Sequence, residues 1–210
     1  MRRKLTLILA LIPIFMIPIT GLTWVIFSIF LFLIFFKDRL GWYERIKFSP
    51  PLKFFIFFML FGLITEMFAV VDNLPKPPSE RILLHHDPWI DMYLAIGYYA
   101  GFAISWTFFI TRFNFSYPHV FLIGGFFGLI FEQTGGILFS LNLFIYLYVF
   151  LVYGSFQASA AVLAESELRR MKRKEIKKWT MALLGALIEI ISFFLAWLFL
   201  FLLKIPVNYQ

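Results

Sequence analysis

Three glutamates set in apolar surroundings, Glu66, Glu132 and Glu189, are the residues best placed to do chemistry in this chain. Their contexts match: Phe61-Gly62-Leu63-Ile64-Thr65-Glu66, Phe127-Gly128-Leu129-Ile130-Phe131-Glu132 and Leu184-Gly185-Ala186-Leu187-Ile188-Glu189. Gly accounts for only 12 of 210 residues, so three matches at one offset mark a weak internal Gly-x-x-x-Glu repeat. Residues i and i+4 share a helix face, so each Gly lets a neighbouring helix approach beside a carboxyl. A carboxyl in hydrocarbon is costly, and either takes a proton or surrounds a cation. The chemistry this implies is proton or cation handling, or general acid–base work on a lipid-soluble substrate. The structural alternative is a protonated Glu hydrogen-bonding between helices. Gln133, beside Glu132, and Asn142 add polar groups near the same end of the predicted spans.

A second constellation, His85-His86-Asp87-Pro88-Trp89-Ile90-Asp91, holds two of the three histidines. His85, His86, Asp87 and Asp91 are candidate metal ligands by residue type, although their spacing matches no strong metal signature, and no other cofactor is expected. The same residues read equally as a capped helix start, with Asp87 as N-cap and Pro88 as first helical residue. His86 and Asp91, with four residues between them, also make the segment resemble the His-x4-Asp box of glycerolipid acyltransferases. In that family the His is the base and the Asp orients it, and Trp89-Ile90 suits the pattern. The resemblance covers seven residues and implies acyl transfer with His86 as base. The later Pro-Glu-Gly motif of that family does not occur in this chain.

The elements that must position these residues follow from composition. The chain is 61% hydrophobic, 21% aromatic and 15% charged, whereas soluble domains run nearer half apolar and a quarter charged. This predicts an all-α, polytopic integral membrane bundle in a single domain, and excludes a water-soluble enzyme or a disordered chain. The absence of cysteine removes disulfides, zinc–thiolate sites and thiol catalysis. The net charge of +7 belongs to membrane-flanking loops rather than to a nucleic-acid surface.

Spans need about 20 apolar residues. The predicted ones are 5–19, 22–36, 52–71, 92–111, 119–134, 137–157 and 180–203. The uncharged run 5–36 is far too long for one upright span, and Pro18-Ile19-Thr20-Gly21 reads as the turn of a helical hairpin. Seven spans result, or six if 5–36 is one helix. Seven spans put 16 of the 19 Lys and Arg residues on the side of the N-terminus and leave Lys76, Arg81 and Lys204 opposite. The positive-inside rule then places the N-terminus in the cytoplasm and the C-terminus outside the cell membrane. The segment 161–179 reads as a basic cytoplasmic helix that rests on anionic lipid or docks a protein. The oligomeric state is not legible. The leading expectation is transport or permeation of a proton, cation or small solute. The alternatives are a membrane enzyme acting on an isoprenoid or other lipid, and an assembly subunit.

Overall fold

The computed structural model describes residues 2–39, 41–131 and 142–203. These residues form nine α-helices: α1 (Arg2–Thr20), α2 (Val25–Phe36), α3 (Gly41–Glu44), α4 (Pro50–Asn73), α5 (Pro88–Ile110), α6 (Tyr117–Phe131), α7 (Leu143–Leu163), α8 (Glu165–Arg170) and α9 (Lys178–Leu203). Four of them, α4, α5, α7 and α9, are long and apolar enough to cross a membrane, which fits a membrane protein. The apolar helices α2 and α6, and Thr6–Thr20 of α1, are shorter.

The long uncharged N-terminal run is two helices. α1 ends at Thr20 and Gly21 takes φ +84°, a left-handed conformation that favours Gly. Asp72, near the end of α4, holds the turn. Its carboxylate accepts from the Leu22 N–H (2.6 Å), the Thr23 N–H (2.8 Å) and the Thr23 hydroxyl (2.7 Å). A Cβ on Gly21 would strike that carboxylate. Gly21 is thus required both by its backbone and by its neighbour.

Five helices close into a ring. α4 packs on α5, α5 on α9, α9 on α6, α6 on α7, and α7 back on α4. Outside it, α2 lies against α7 and α1 lies against α2. Aromatic side chains fill the ring. Phe156 of α7 meets Phe58 at 5.8 Å and Tyr99 at 5.4 Å, both edge-on, as the aromatic quadrupole favours.

One end of the bundle gathers the basic segments. The sequence expectation of a continuous helix over 161–179 is corrected here. α7 runs on to Leu163, α8 stops at Arg170, and Met171 turns extended (φ −77°, ψ 143°). Lys174 then pairs through its backbone with the α5–α6 connection: its N–H donates to Arg112 O (2.7 Å) and its carbonyl accepts from Asn114 N–H (3.0 Å). The Arg173 guanidinium also reaches the Phe115 carbonyl at 2.9 Å. These non-local bonds offer the 171–177 backbone a better set of partners than a solvated helix would.

The start of α7 also differs from the expected 137. Asn142 is its N-cap, accepting at Oδ1 from the Phe144 N–H (3.0 Å) and the Ile145 N–H (3.3 Å). Such a cap satisfies donors that a helix start leaves open. Gln157, expected to close this span, therefore lies well inside the helix, and it is fully buried. Glu132 and Gln133 lie outside the described residues.

Candidate functional site

The face of α5 that looks into the ring carries Asp91, Tyr99 and Trp106. At 3.6 residues per turn these three fall within about 80° of one another. All are buried: Asp91 and Trp106 show no exposed surface and Tyr99 shows 5%. Each sits beside a carboxyl or carries one.

At the level of Tyr99, the phenol donates to Glu66 Oε2 of α4 at 2.9 Å. Gly62 makes this geometry work. A Cβ there would run into the Tyr99 ring. Gly62 seats the ring, and the hydroxyl reaches the carboxyl one turn further along the same face of α4. Asp91 lies eight residues, about two turns, before Tyr99 on the same face of α5. Asp91 Oδ1 accepts from the His85 backbone N–H at 3.1 Å. Its Oδ2 is buried and has no hydrogen-bond partner among the described residues.

A second polar cluster lies seven residues on, about 10 Å along α5. The Trp106 indole N–H is shared between Gln157 Oε1 of α7 (2.8 Å) and Glu189 Oε1 of α9 (3.1 Å). Glu189 is 1% exposed and Gln157 not at all. Gly124 of α6 provides the space for the Gln157 amide, because a Cβ there would meet its carbonyl and nitrogen.

Sequence reasoning grouped Glu66 with Glu132 and Glu189 and set Asp91 in a separate constellation. The structure puts Glu66 beside Tyr99 and Glu189 beside Trp106, at two levels of α5. Tyr99 and Trp106, which connect to these carboxyls, were not singled out. Their spacing of seven residues, and of eight and fifteen from Asp91, was the available signal. Asn142 sits at an exposed helix start, where it caps α7.

The His85–Asp91 segment folds as the helix-start reading expects. Asp87 is the N-cap of α5, accepting from Trp89 N–H (2.9 Å) and Ile90 N–H (3.2 Å), and Pro88 opens the helix. Those backbone donors, Ile90 and then Trp89, hold the Asp87 carboxyl below its ordinary pKa. His85 Nδ1 accepts from the Asp87 N–H at 3.0 Å, and the His85 and His86 rings stack at 4.3 Å. Asp91 therefore takes a backbone N–H rather than the His86 ring, and the pair that the acyltransferase resemblance implies is not formed. Among the described residues no three His, Asp or Glu side chains are grouped to hold a metal ion.

At the basic end, Lys53 in the first turn of α4 is 2% exposed. It pairs with Glu167 of α8, donates to the Tyr43 carbonyl at 3.2 Å and lies 5.0 Å from the Tyr43 ring. Burial, then the Glu167 charge, pushes the Tyr43 phenol above its usual pKa. Glu44 accepts from the Ser166 hydroxyl at 2.6 Å, and Lys37 lies 3.5 Å from Glu165. These contacts tie α3 and α4 to α8.

No protein-family model, curated protein or solved structure matches this chain.

Proposed function

We propose that this chain moves protons or small cations across a membrane, along the inward face of α5. The observation that carries this reading is the line of carboxyls beside that face: buried Asp91 near its start, half-buried Glu66 at Tyr99 about two turns on, and buried Glu189 at Trp106 about two turns further. Ionisable groups in an apolar bundle are costly and mark ion or proton pathways. Tyr99 and Trp106 supply a hydroxyl and an indole N–H at each level, so every carboxyl has a hydrogen-bond donor beside it whatever its charge. Glu66 and Asp91 form the entry at the histidine end and Glu189 the station deeper in the bundle.

The basic end is the cytoplasmic end on this reading, as the positive-inside rule requires. Exposed Lys172, Lys174 and Lys177, with Trp179 at 86% exposure, have the chemistry of a segment that lies against anionic headgroups.

The test is ion flux in liposomes containing the purified chain. Wild-type protein dissipates an imposed proton or cation gradient. Glu189→Gln and Glu66→Gln keep side-chain size and hydrogen bonding but cannot release a proton or carry negative charge, so both are expected to abolish flux while the protein stays folded. Full flux in both variants would make the carboxyls structural and end this reading.

A further inference from the structure

The connection between α7 and α9, residues 164–177, is tied to both sides of the basic end of the ring. On one side, α8 is held by side chains. Glu167 pairs with buried Lys53 at the start of α4, Glu165 with Lys37 at 3.5 Å, and Arg170 with Glu44 at 3.4 Å. On the other side, the segment holds the α5–α6 connection. Lys174 does so through its backbone, and the Arg173 guanidinium donates to the Phe115 carbonyl at 2.9 Å. Between these edges Leu168 and Phe115 are buried, at 2% and 1% exposure.

The Trp106 cluster lies next to this segment. Trp106 is four residues, about one turn, before the end of α5. The Phe115 ring meets the Trp106 ring edge-on at 5.7 Å. Contacts therefore run in series from Arg173 through Phe115 to Trp106, and on to Gln157 and Glu189. Resting on the transport reading, we infer that residues 164–177 form a lid on the basic end of the ring, and that lifting it opens the Trp106–Glu189 cluster to solvent on that side.

Two features suit this segment to move while the ring helices stay. The first is its burial. Within 165–177 only Leu168 is fully buried, whereas α7 is buried at every position from Gly154 to Leu163. Segments with few buried apolar contacts open at a lower free energy than a packed core. The second is the catch. Lys53 is 2% exposed, and Glu167 is the carboxylate that balances its charge. A buried charge without its partner is strongly unfavourable. Lifting α8 returns both charges to water without moving α4. The pairs Glu165–Lys37 and Arg170–Glu44 lie nearer the surface and add little.

The experiment uses the absence of cysteine in the chain, so that a single introduced thiol reports its own position. Ala161→Cys lies one turn from Gln157 on the same face of α7, toward the lid, at a site 2% exposed. Val152→Cys, at a site 4% exposed on the far side of Gln157, is the control within the ring. A membrane-impermeant maleimide is applied to the full chain in liposomes from the basic side. In the otherwise unaltered chain Ala161→Cys should react slowly and Val152→Cys not at all. Adding Glu167→Gln should speed the first by about tenfold or more, since opening then relieves an unpaired buried charge. Arg173→Gln, which leaves the Lys53–Glu167 pair intact, should also speed it from the other edge. Lys53→Arg, which keeps the pair, should not. Potential-driven acidification should rise in the same two faster variants. No reaction at Ala161→Cys in the unaltered chain, a result that needs no edge variant to fold, would overturn the lid. So would equal rates in all variants, or a parallel rise at Val152→Cys. Faster labelling with acidification held at the wild-type rate would overturn control of the route by the lid while leaving transport standing. Faster labelling in a chain that moves no ion at all would end the transport reading and leave the lid.

Discussion

Tyr99 shows how a single residue depends on its neighbours. Its ring needs the bare face of Gly62, and its hydroxyl needs Glu66. Gly62→Ala is expected to displace the ring and weaken the hydroxyl contact, lowering both thermal stability and flux. Tyr99→Phe is expected to lower flux with little loss of stability. Equal effects of the two on melting temperature would contradict the division between packing and chemistry. At the basic end, Lys53 and Glu167 make a buried pair. Removing one partner leaves the other charge buried, at a cost of about 3–5 kcal/mol, whereas replacing both is far cheaper. Lys53→Met is therefore expected to destabilise strongly, and adding Glu167→Gln to recover much of the loss, as read from unfolding in detergent. The Asp87-Pro88 helix start was legible because it is a local pattern. The Tyr99–Glu66 and Trp106–Glu189 partnerships were not, since they join residues 33 and 83 positions apart, and only packing decides which helices become neighbours.

Among the elements, the α1–α2 hairpin was readable from Pro18 to Gly21, because a long uncharged run with turn residues cannot remain one span. The end of the α8 region was not readable. A Lys/Arg-rich stretch with good helix propensity was expected to stay helical, and backbone pairing between Lys174 and the 112–114 connection prevailed over that propensity. The α1–α2 turn hangs on three bonds to Asp72, so Asp72→Ala is expected to speed amide exchange at Leu22 and Thr23 and to leave the α5 face intact. The start of α5 depends on pH. The folded pKa of Asp87 is depressed by the Ile90 and Trp89 N–H groups. Its stabilising contribution is thus complete above the unfolded value of about 3.9 and is lost as pH falls through the folded value. Amide exchange at Trp89 and Ile90, corrected for its intrinsic pH dependence, should rise only in that acidic window. A rise near neutral pH would contradict the cap.

At the scale of the whole molecule, a ring of five helices places buried carboxyls on one side of α5 and collects the basic segments at one end. Composition announced apolar helices, four of which are long enough to cross a membrane, and the basic segments around Lys53, Arg112 and Lys174 share an end. The closure of the ring depends on Phe58, Phe156 and Tyr99 meeting from three different helices, a contact that no local pattern encodes. The most direct measurement is internal acidification of liposomes driven by a membrane potential, comparing wild type with Glu189→Gln. Glu189 is buried beside Trp106 and Gln157, and the route along α5 has no other described carboxyl at its level. The expected result is acidification by the wild type and none by Glu189→Gln at equal incorporation and equal melting temperature. Acidification by Glu189→Gln at the wild-type rate would contradict a proton path through the ring.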